Sequence, residues 1–493
     1  MEAWIEKAKK VQRILERAPK FDKHLRVESE EFHQRQQALI AELDKAGLDC
    51  ALVYSDEHYN GDVPYLGGCV NICIEPIAGV LGKNGFHLLA GLEGGYVAEQ
   101  LSYRSGCGIH KVEMLKLADE EYPIDAESVE DVLVEACGKM PESMGIFTPR
   151  EVLPVSVFEC FEGIIGKGKV VDAQEIYYKQ KYIKSDREME LTRQAARMCD
   201  VMLEGMLAVL EPGMLETEVA SWGYLIGRQI GAESFGFDIM VTAGEANRTL
   251  IGKALNREIK EGDYVHLGVA PKCDGLTACE RCTVIATLDP DSITEDQHYW
   301  ISFVEGAYQT GLDAYRWVSR ERLPAKLQEQ ALCDYFKAHE AEVCHRLGKQ
   351  IDFVRQKPYT GTHNGGYTEC QEFYGAITLN SEEPLGEQIV TMLDVAVRGV
   401  GNMWNDVIIP GMDYVLVEKT LGKFGERVEV LNELPINLQR YVGRVVDKSV
   451  IGNVICTAAP ERSSDNTTGR QNKGAQERID RYESGSSFRE QHD

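Results

Sequence analysis

One capped helix followed by a long strand-rich stretch constrains this chain most. The segment IKSDREMELTRQAARMCDVMLEGMLAVL (183–210) carries apolar residues at helical spacing and opens on Ser185, with Glu188 three residues later, the pattern of a capping box. Glu211-Pro212-Gly213 stops that helix, and Thr217 starts a second. From Phe235 to about Val417 the pattern turns to strands: DYVHLGVAP, TVIATL, IVTMLDVAV and DYVLVEK are rich in β-branched and aromatic residues. Helical stretches at 298–316 and 323–348 separate them. Strand pairs with helices on one face predict an α+β layer and not a doubly wound sheet.

The preceding part reads differently. Residues 1–48 have helical periodicity, CALVYS (50–55) is a short buried strand, and GVLGKNGFHLLAG (79–91) is a hairpin turning at Asn84-Gly85. KVVDA (169–173) is a further strand, so strands and helices alternate as in a small α/β domain. The expected division is 1–183, 184–455, and a disordered tail at 456–493 whose large apolar residues include only Ile479, Tyr482 and Phe488 past Glu461.

A formal charge of −26 disfavours nucleic acid and anionic membrane as partners. No apolar run approaches the ~20 residues of a membrane span, and MEAWIEKAKKVQRILERAPKF lacks the apolar region of a secretion signal. The 14 cysteines are scattered, which fits a reduced, cytoplasmic protein.

Specific words then point to a family. RQQALIAELDKAGLDCALVYSDEHYNGDVPYLGG resembles the amino-terminal domain of creatinase and prolidase. YIKSDREMELTRQAARMCDVML and LEPGMLETEVASWGYLIGRQIGAESFGFDIMVTAGEAN resemble the entry into their catalytic domain, with its Pro-Gly, Thr-Glu and Gly-x-Asn marks. The resemblance is to the pita-bread superfamily of methionine aminopeptidase, aminopeptidase P, prolidase and creatinase, and covers roughly residues 33–420. It implies a creatinase-like α/β domain followed by a pseudo-twofold β-sheet wrapped by helices, with the site in the middle of that sheet.

Peptidases of this superfamily bind two metal ions through Asp, Asp, His, Glu and Glu. Matched along the chain, those positions fall on His266, Ala278 (or Thr277), His363, Leu393 and Asn405, so that His363 alone is retained. The partner His seven residues on is Cys370, and the substrate His after Gly-x-Asn is Gly252, beside Lys253. Two hard ions need bridging carboxylates to supply oxygen ligands and neutralising charge. This set lacks them. His266, His363, Cys370 and Glu280 or Asp394 are candidate ligands for one zinc, iron or manganese ion. Cys279-x-x-Cys282, on a strand, reads as two small buried side chains.

Creatinase implies a third arrangement, hydrolysis of a C–N bond without metal. On that model the catalytic candidates are His363, His266, Glu280 and Glu369, with a His as general base. Arg281, Lys253, Asp394 and Tyr367 are the substrate-binding candidates. The expected function is cleavage of a C–N or similar bond in a small polar non-peptide molecule, by a hydrolase or a lyase, with no cofactor or, as a further alternative, one divalent metal ion. The alternative is a non-catalytic binding protein, a use to which some members of the superfamily put this fold. Filling of the site by Met392 and Leu393 would mark the binding protein, and a polar cavity around His363 the enzyme. The resemblance also implies a homodimer, with residues 56–74 reaching the partner.

Overall fold

A computed structural model describes residues 2–117, 125–369, 372 and 374–447. The expected tail and Cys370 lie outside the described residues. The described residues up to Val445 group as one compact unit.

The amino-terminal helical stretch is broken. Helix α1 (Glu2–Arg17) ends before Pro19, and α2 (Ser29–Ala46) starts a new axis and stops at Gly47 in a left-handed conformation. Proline cannot continue the helix, which is why periodicity alone merged the two. Strand β1 (Cys50–Ser55), helix α3 (Asp62–Gly67), strands β2 (Ile77–Gly82) and β3 (Gly85–Ala90), helix α4 (Leu92–Leu101) and strand β4 (Gly108–Lys111) follow. After them come α5 (Val129–Cys137), β5 (Met144–Ile146), α6 (Val155–Ile165), β6 (Val170–Asp172) and α7 (Gln174–Tyr182). The six strands form one mixed sheet in the order β4-β3-β2-β1-β5-β6.

Helix α8 (Asp186–Val209) opens with the full capping box of Ser185 and Glu188, and α9 (Glu216–Ile230) follows. Small strands β7 (Ser234–Phe235), β10 (Pro271–Cys273) and β11 (Leu276–Thr277) form a three-stranded sheet. The large sheet is built from β8 (Met240–Ala243), β9 (Tyr264–Val269), β12 (Glu280–Ile285), β13 (Thr362–Asn364), β14 (Gln388–Arg398) and β15 (Tyr414–Phe424), in the order β13-β14-β15-β12-β9-β8, with β16 (Arg427–Val430) on β15. Helices α10 (Glu295–Glu321) and α11 (Lys326–Leu347) lie between β12 and β13 in sequence, and α10 packs on β14 and β15.

The large sheet is antiparallel at every pairing, so side chains opposite one another share a face. Leu393, Val395 and Val397 turn to the helix side and join Phe303, Val304 and Tyr308 in the core. Met392 and Asp394 turn to the other side. Among the described residues no helix is long and apolar enough to cross a membrane.

Residues 59–70 are buried in their own chain. Asp62 accepts from Lys181 Nζ at 3.0 Å and from Thr148 Oγ1 at 2.7 Å, which anchors this part of the segment 56–74 within its own chain.

Candidate active site

Three neighbouring strands set the centre of the site. Arg281 on β12 pairs in register with Glu418 on β15, and Glu418 pairs in register with Asp394 on β14. All three side chains therefore emerge on one face, in a row. Arg281 Nε donates to Glu418 Oε2 at 2.5 Å, and its Nη2 donates to Asp394 Oδ2 at 2.8 Å. Tyr359 Oη donates to Asp394 Oδ1 at 2.9 Å, and Arg281 Nη2 also reaches the hydroxyls of Tyr359 and Tyr414 at 3.2 and 3.3 Å. Gly268 lies opposite Arg281 on β9. A Cβ there would sit 2.9 Å from Arg281 Cγ and 3.0 Å from Cδ, so the glycine leaves the path for the arginine side chain.

His363 on β13 pairs with Met392 and shares the face of Asp394. Its Nδ1 lies 3.1 Å from the Asn364 carbonyl oxygen, which turns Nε2 towards two carboxylates: Glu418 Oε1 at 3.3 Å and Glu369 Oε1 at 3.6 Å. The ring remains 21% exposed, unlike the buried groups around it. Burial opposes its charge, but Glu369 and Glu418 outweigh burial and raise its pKa to about 10. Burial also opposes ionisation of Glu418, and Arg281 and His363 overcome it, holding that carboxyl at about 2. Asp394 is pushed up to about 7 by burial, with Arg281 working against it.

The sequence-derived candidates separate. His363, Glu369, Arg281 and Asp394 come together. Glu280 does not: it points through the sheet to the opposite face, where it pairs with Lys419, and burial raises its carboxyl to about 8. His266 shares the face of Arg281 but is fully buried and stands edge-on to the Tyr414 ring at 5.6 Å. Neither of its ring nitrogens has a hydrogen-bond partner, and burial followed by Arg281 keeps it neutral. Lys253 is exposed and paired with Asp238 at 2.6 Å. Tyr367 turns towards α2, where its hydroxyl accepts from Arg35 at 2.9 Å. Arg281 is committed to the internal carboxylates of Glu418 and Asp394.

Glu418, Tyr359 and Tyr414 were missed, and Cys279 reads in the sequence as a buried packing residue. Matching motif words placed the last acidic position at Asn405, in the exposed turn between β14 and β15, and an earlier one at Leu393, which faces the core. Alternation on DYVLVEK was the available signal, because a charged Glu418 inside an apolar strand demands a partner on its face.

Two groups of donor atoms lie within 4.8 Å of one another: His363, Asp394 and Glu418, and Cys279, Glu369 and Glu418. The second fits one divalent ion through sulfur and two carboxylates, with His363 beside it. A second ion does not fit this arrangement, because Arg281 already neutralises Asp394 and Glu418.

The model of metallopeptidase family M24 matches residues 190–372. That part of the chain is thus similar to an M24 domain. Its fold agrees with solved members of that group. Dipeptidase PepE from Mycobacterium ulcerans superposes with a TM-score of 0.63 at 16% identity, covering 84% of this chain and 99% of that one. Prolidase from Pyrococcus horikoshii OT3 gives 0.62 at 17% identity over 82% and 99%. Among curated proteins, the uncharacterized peptidase YqhT of Bacillus subtilis is 22% identical over 226 residues, 46% of this chain and 62% of YqhT. The Xaa-Pro dipeptidase of Pyrococcus horikoshii is 22% identical over 233 residues, 47% and 58%. The chain thus spans about six-tenths of the length of these two relatives. Its fold is the pita-bread fold of the M24 proteins.

Proposed function

We propose that this M24 protein is a hydrolase that breaks a C–N bond in a small polar molecule, using His363 and Glu369, with at most one metal ion. The single observation that carries the reading is Arg281 bound between Asp394 and Glu418, where a fixed guanidinium supplies the positive charge that a second ion would bring. Leu393 is turned to the helix core, whereas Met392 is buried on the face of the site beside Cys279; the polar groups around His363 support the enzyme over the binding protein.

The chemistry follows from the charges. His363, raised to about 10, is an imidazolium at neutral pH and acts as general acid, not as the general base expected from its ordinary pKa. Glu369 takes the proton of the attacking water as its oxygen bonds to the substrate carbon. His363 Nε2 gives its proton to the departing nitrogen as the C–N bond breaks. Glu369, 3.6 Å away, then returns the first proton to His363. Arg281 holds Glu418 ionised, which in turn holds His363 charged. Three carboxylates face two cations here, which favours a substrate carrying a cationic group, such as an amino or guanidino compound. A homodimer in the cytoplasm is part of this reading.

The cluster of Cys279, Glu369 and Glu418 favours a second reading, in which these residues and His363 hold one divalent ion that polarises the scissile group or its water. The test combines elemental analysis of the purified chain with release of amine, ammonia or urea from guanidino compounds, N-substituted amino acids and dipeptides. Turnover lost in His363→Ala and Glu369→Gln, without bound metal at this cluster, supports the first reading. One ion lost with Cys279→Ser supports the second. Two ions removed together by His363→Ala, or turnover indifferent to both variants, would overturn the proposal.

A further inference from the structure

A second cluster of ligating side chains lies in the first sheet, remote in sequence from the M24 domain match. His87 on β3 stands opposite Gly108 on the parallel edge strand β4, and His110 lies two residues further along β4 on the same face. Both rings are buried, and they stack with centroids 5.2 Å apart. His87 Nδ1 faces His110 Nε2 at 3.0 Å. His110 Nδ1 lies 2.9 Å from Glu127 Oε2. That contact fixes the ring with its Nε2 aimed at His87. The Glu135 carboxylate, carried on α5, completes a group of three donors that all lie within 4.8 Å of one another.

Gly108 supplies an independent observation. A Cβ at that position would sit 2.6 Å from His87 Nδ1 and 3.0 Å from His110 Nε2. The glycine therefore keeps clear the space in front of the two nitrogens that face each other. A plain His–His hydrogen bond accounts for the 3.0 Å approach, but it does not call for a carboxylate on α5 beside the pair.

We infer that His87 Nδ1, His110 Nε2 and Glu135 form a binding site for one divalent transition-metal ion of the zinc class, with Glu127 orienting His110. Two imidazoles and a carboxylate are a donor set that zinc, cobalt and nickel accept, and the carboxylate behind a ligating His is the usual means of fixing its tautomer. Nitrogens held by one tetrahedral ion at bonds of about 2.05 Å lie about 3.4 Å apart, so the two rings need to separate by only a few tenths of an ångström. Glu135 is exposed, which leaves the remaining position of the ion to water. The ion ties β3, β4 and α5 together at the open edge of the sheet. It takes no part in the chemistry at His363.

The test uses the full chain stripped of metal by a chelator and titrated with cobalt and with zinc chloride. The expected result is one cobalt ion per chain with the visible absorption of a tetrahedral nitrogen–oxygen site, together with a rise in melting temperature on adding zinc. His110→Asn should remove both signals. Glu135→Gln and Glu127→Gln should each weaken binding by about tenfold or more. His363→Ala and Cys279→Ser should leave the signals intact, which separates this site from the one proposed for hydrolysis. Absence of stoichiometric binding, or binding unaffected by Glu135→Gln, would overturn the inference. Glu135 is exposed, so that variant decides the matter even where His110→Asn fails to fold.

Discussion

Arg281 and Glu418 face each other in register across β12 and β15, and the 2.5 Å contact of Nε with the carboxylate puts a full positive charge in the middle of the sheet. Asp394, in register with Glu418 from the other side, takes the second branch of the guanidinium. A buried group of this kind is worth little against an apolar replacement of the whole, but breaking it leaves charges unpaired.

Arg281→Met removes the one cation that serves both carboxylates. Unfolding free energy should fall by about 3–5 kcal/mol, the range for stranding a buried charge. Urea denaturation followed by circular dichroism measures it. Arg281→Lys should recover only part of the loss, because an ammonium cannot offer the forked donors that reach both Glu418 and Asp394. A variant as stable as the parent would show that the row is not a coupled unit.

On the opposite face, Glu280 and Lys419 make the corresponding buried pair, and Lys419 Nζ also donates to the Leu434 carbonyl at 3.0 Å. Glu280→Leu alone should destabilise by about 3 kcal/mol, and Glu280→Leu with Lys419→Met should recover much of that. Turnover of the folded single variant should persist, since Glu280 points away from His363. Loss of turnover in a well-folded Glu280→Gln chain would contradict this placement.

Much of the fold was legible because its signals are local. Ser185 and Glu188 announce α8, Asn84-Gly85 a hairpin, and the apolar runs at 389–397 and 413–417 the longest strand pair. The site was less legible because its register is set across strands, not along them. Matching motif words aligned Leu393 and Asn405 with acidic positions, whereas the sheet brings Asp394 opposite Glu418. A slip of one residue in a strand exchanges core face for site face, so Leu393 and Asp394 trade places completely. The length of the turn between β14 and β15 hides that slip from any reading that counts residues. The same alternation separates Glu280 from Arg281, adjacent in sequence and on opposite faces.

We read His266 as a structural neighbour of the site and not as a proton carrier. It is neutral, edge-on to Tyr414, and without hydrogen bonds. His266→Phe keeps the ring-on-ring packing and removes two unsatisfied polar atoms. Stability should change by less than about 1.5 kcal/mol, as for volume-conserving core changes, and turnover should survive. Thermal melts and an initial-rate assay check both. A loss of turnover by a hundredfold with an unchanged melting temperature would return His266 to the catalytic set.

The pH dependence of stability follows from the His363–Glu418 contact and has two limbs of opposite sign. The pKa of His363 is raised to about 10 from an unfolded value near ~6.5. Its contribution is therefore complete below ~6.5 and lost as pH rises through about 10. Glu418 is depressed to about 2 from an unfolded value near ~4.3, so its contribution is complete above ~4.3 and lost as pH falls towards about 2. Urea midpoints measured from pH 3 to 10 for the parent and His363→Asn give the difference directly. The variant should lose most relative to the parent between about pH 5 and 6.5, and the gap should narrow steadily above that. In a Glu418→Gln background the alkaline limb should move to lower pH, because only Glu369 and Asp394 then hold the imidazolium charged. A gap that stays constant from pH 6 to 10 would mean that His363 is not protonated in the folded chain, and with it would fall its assignment as general acid.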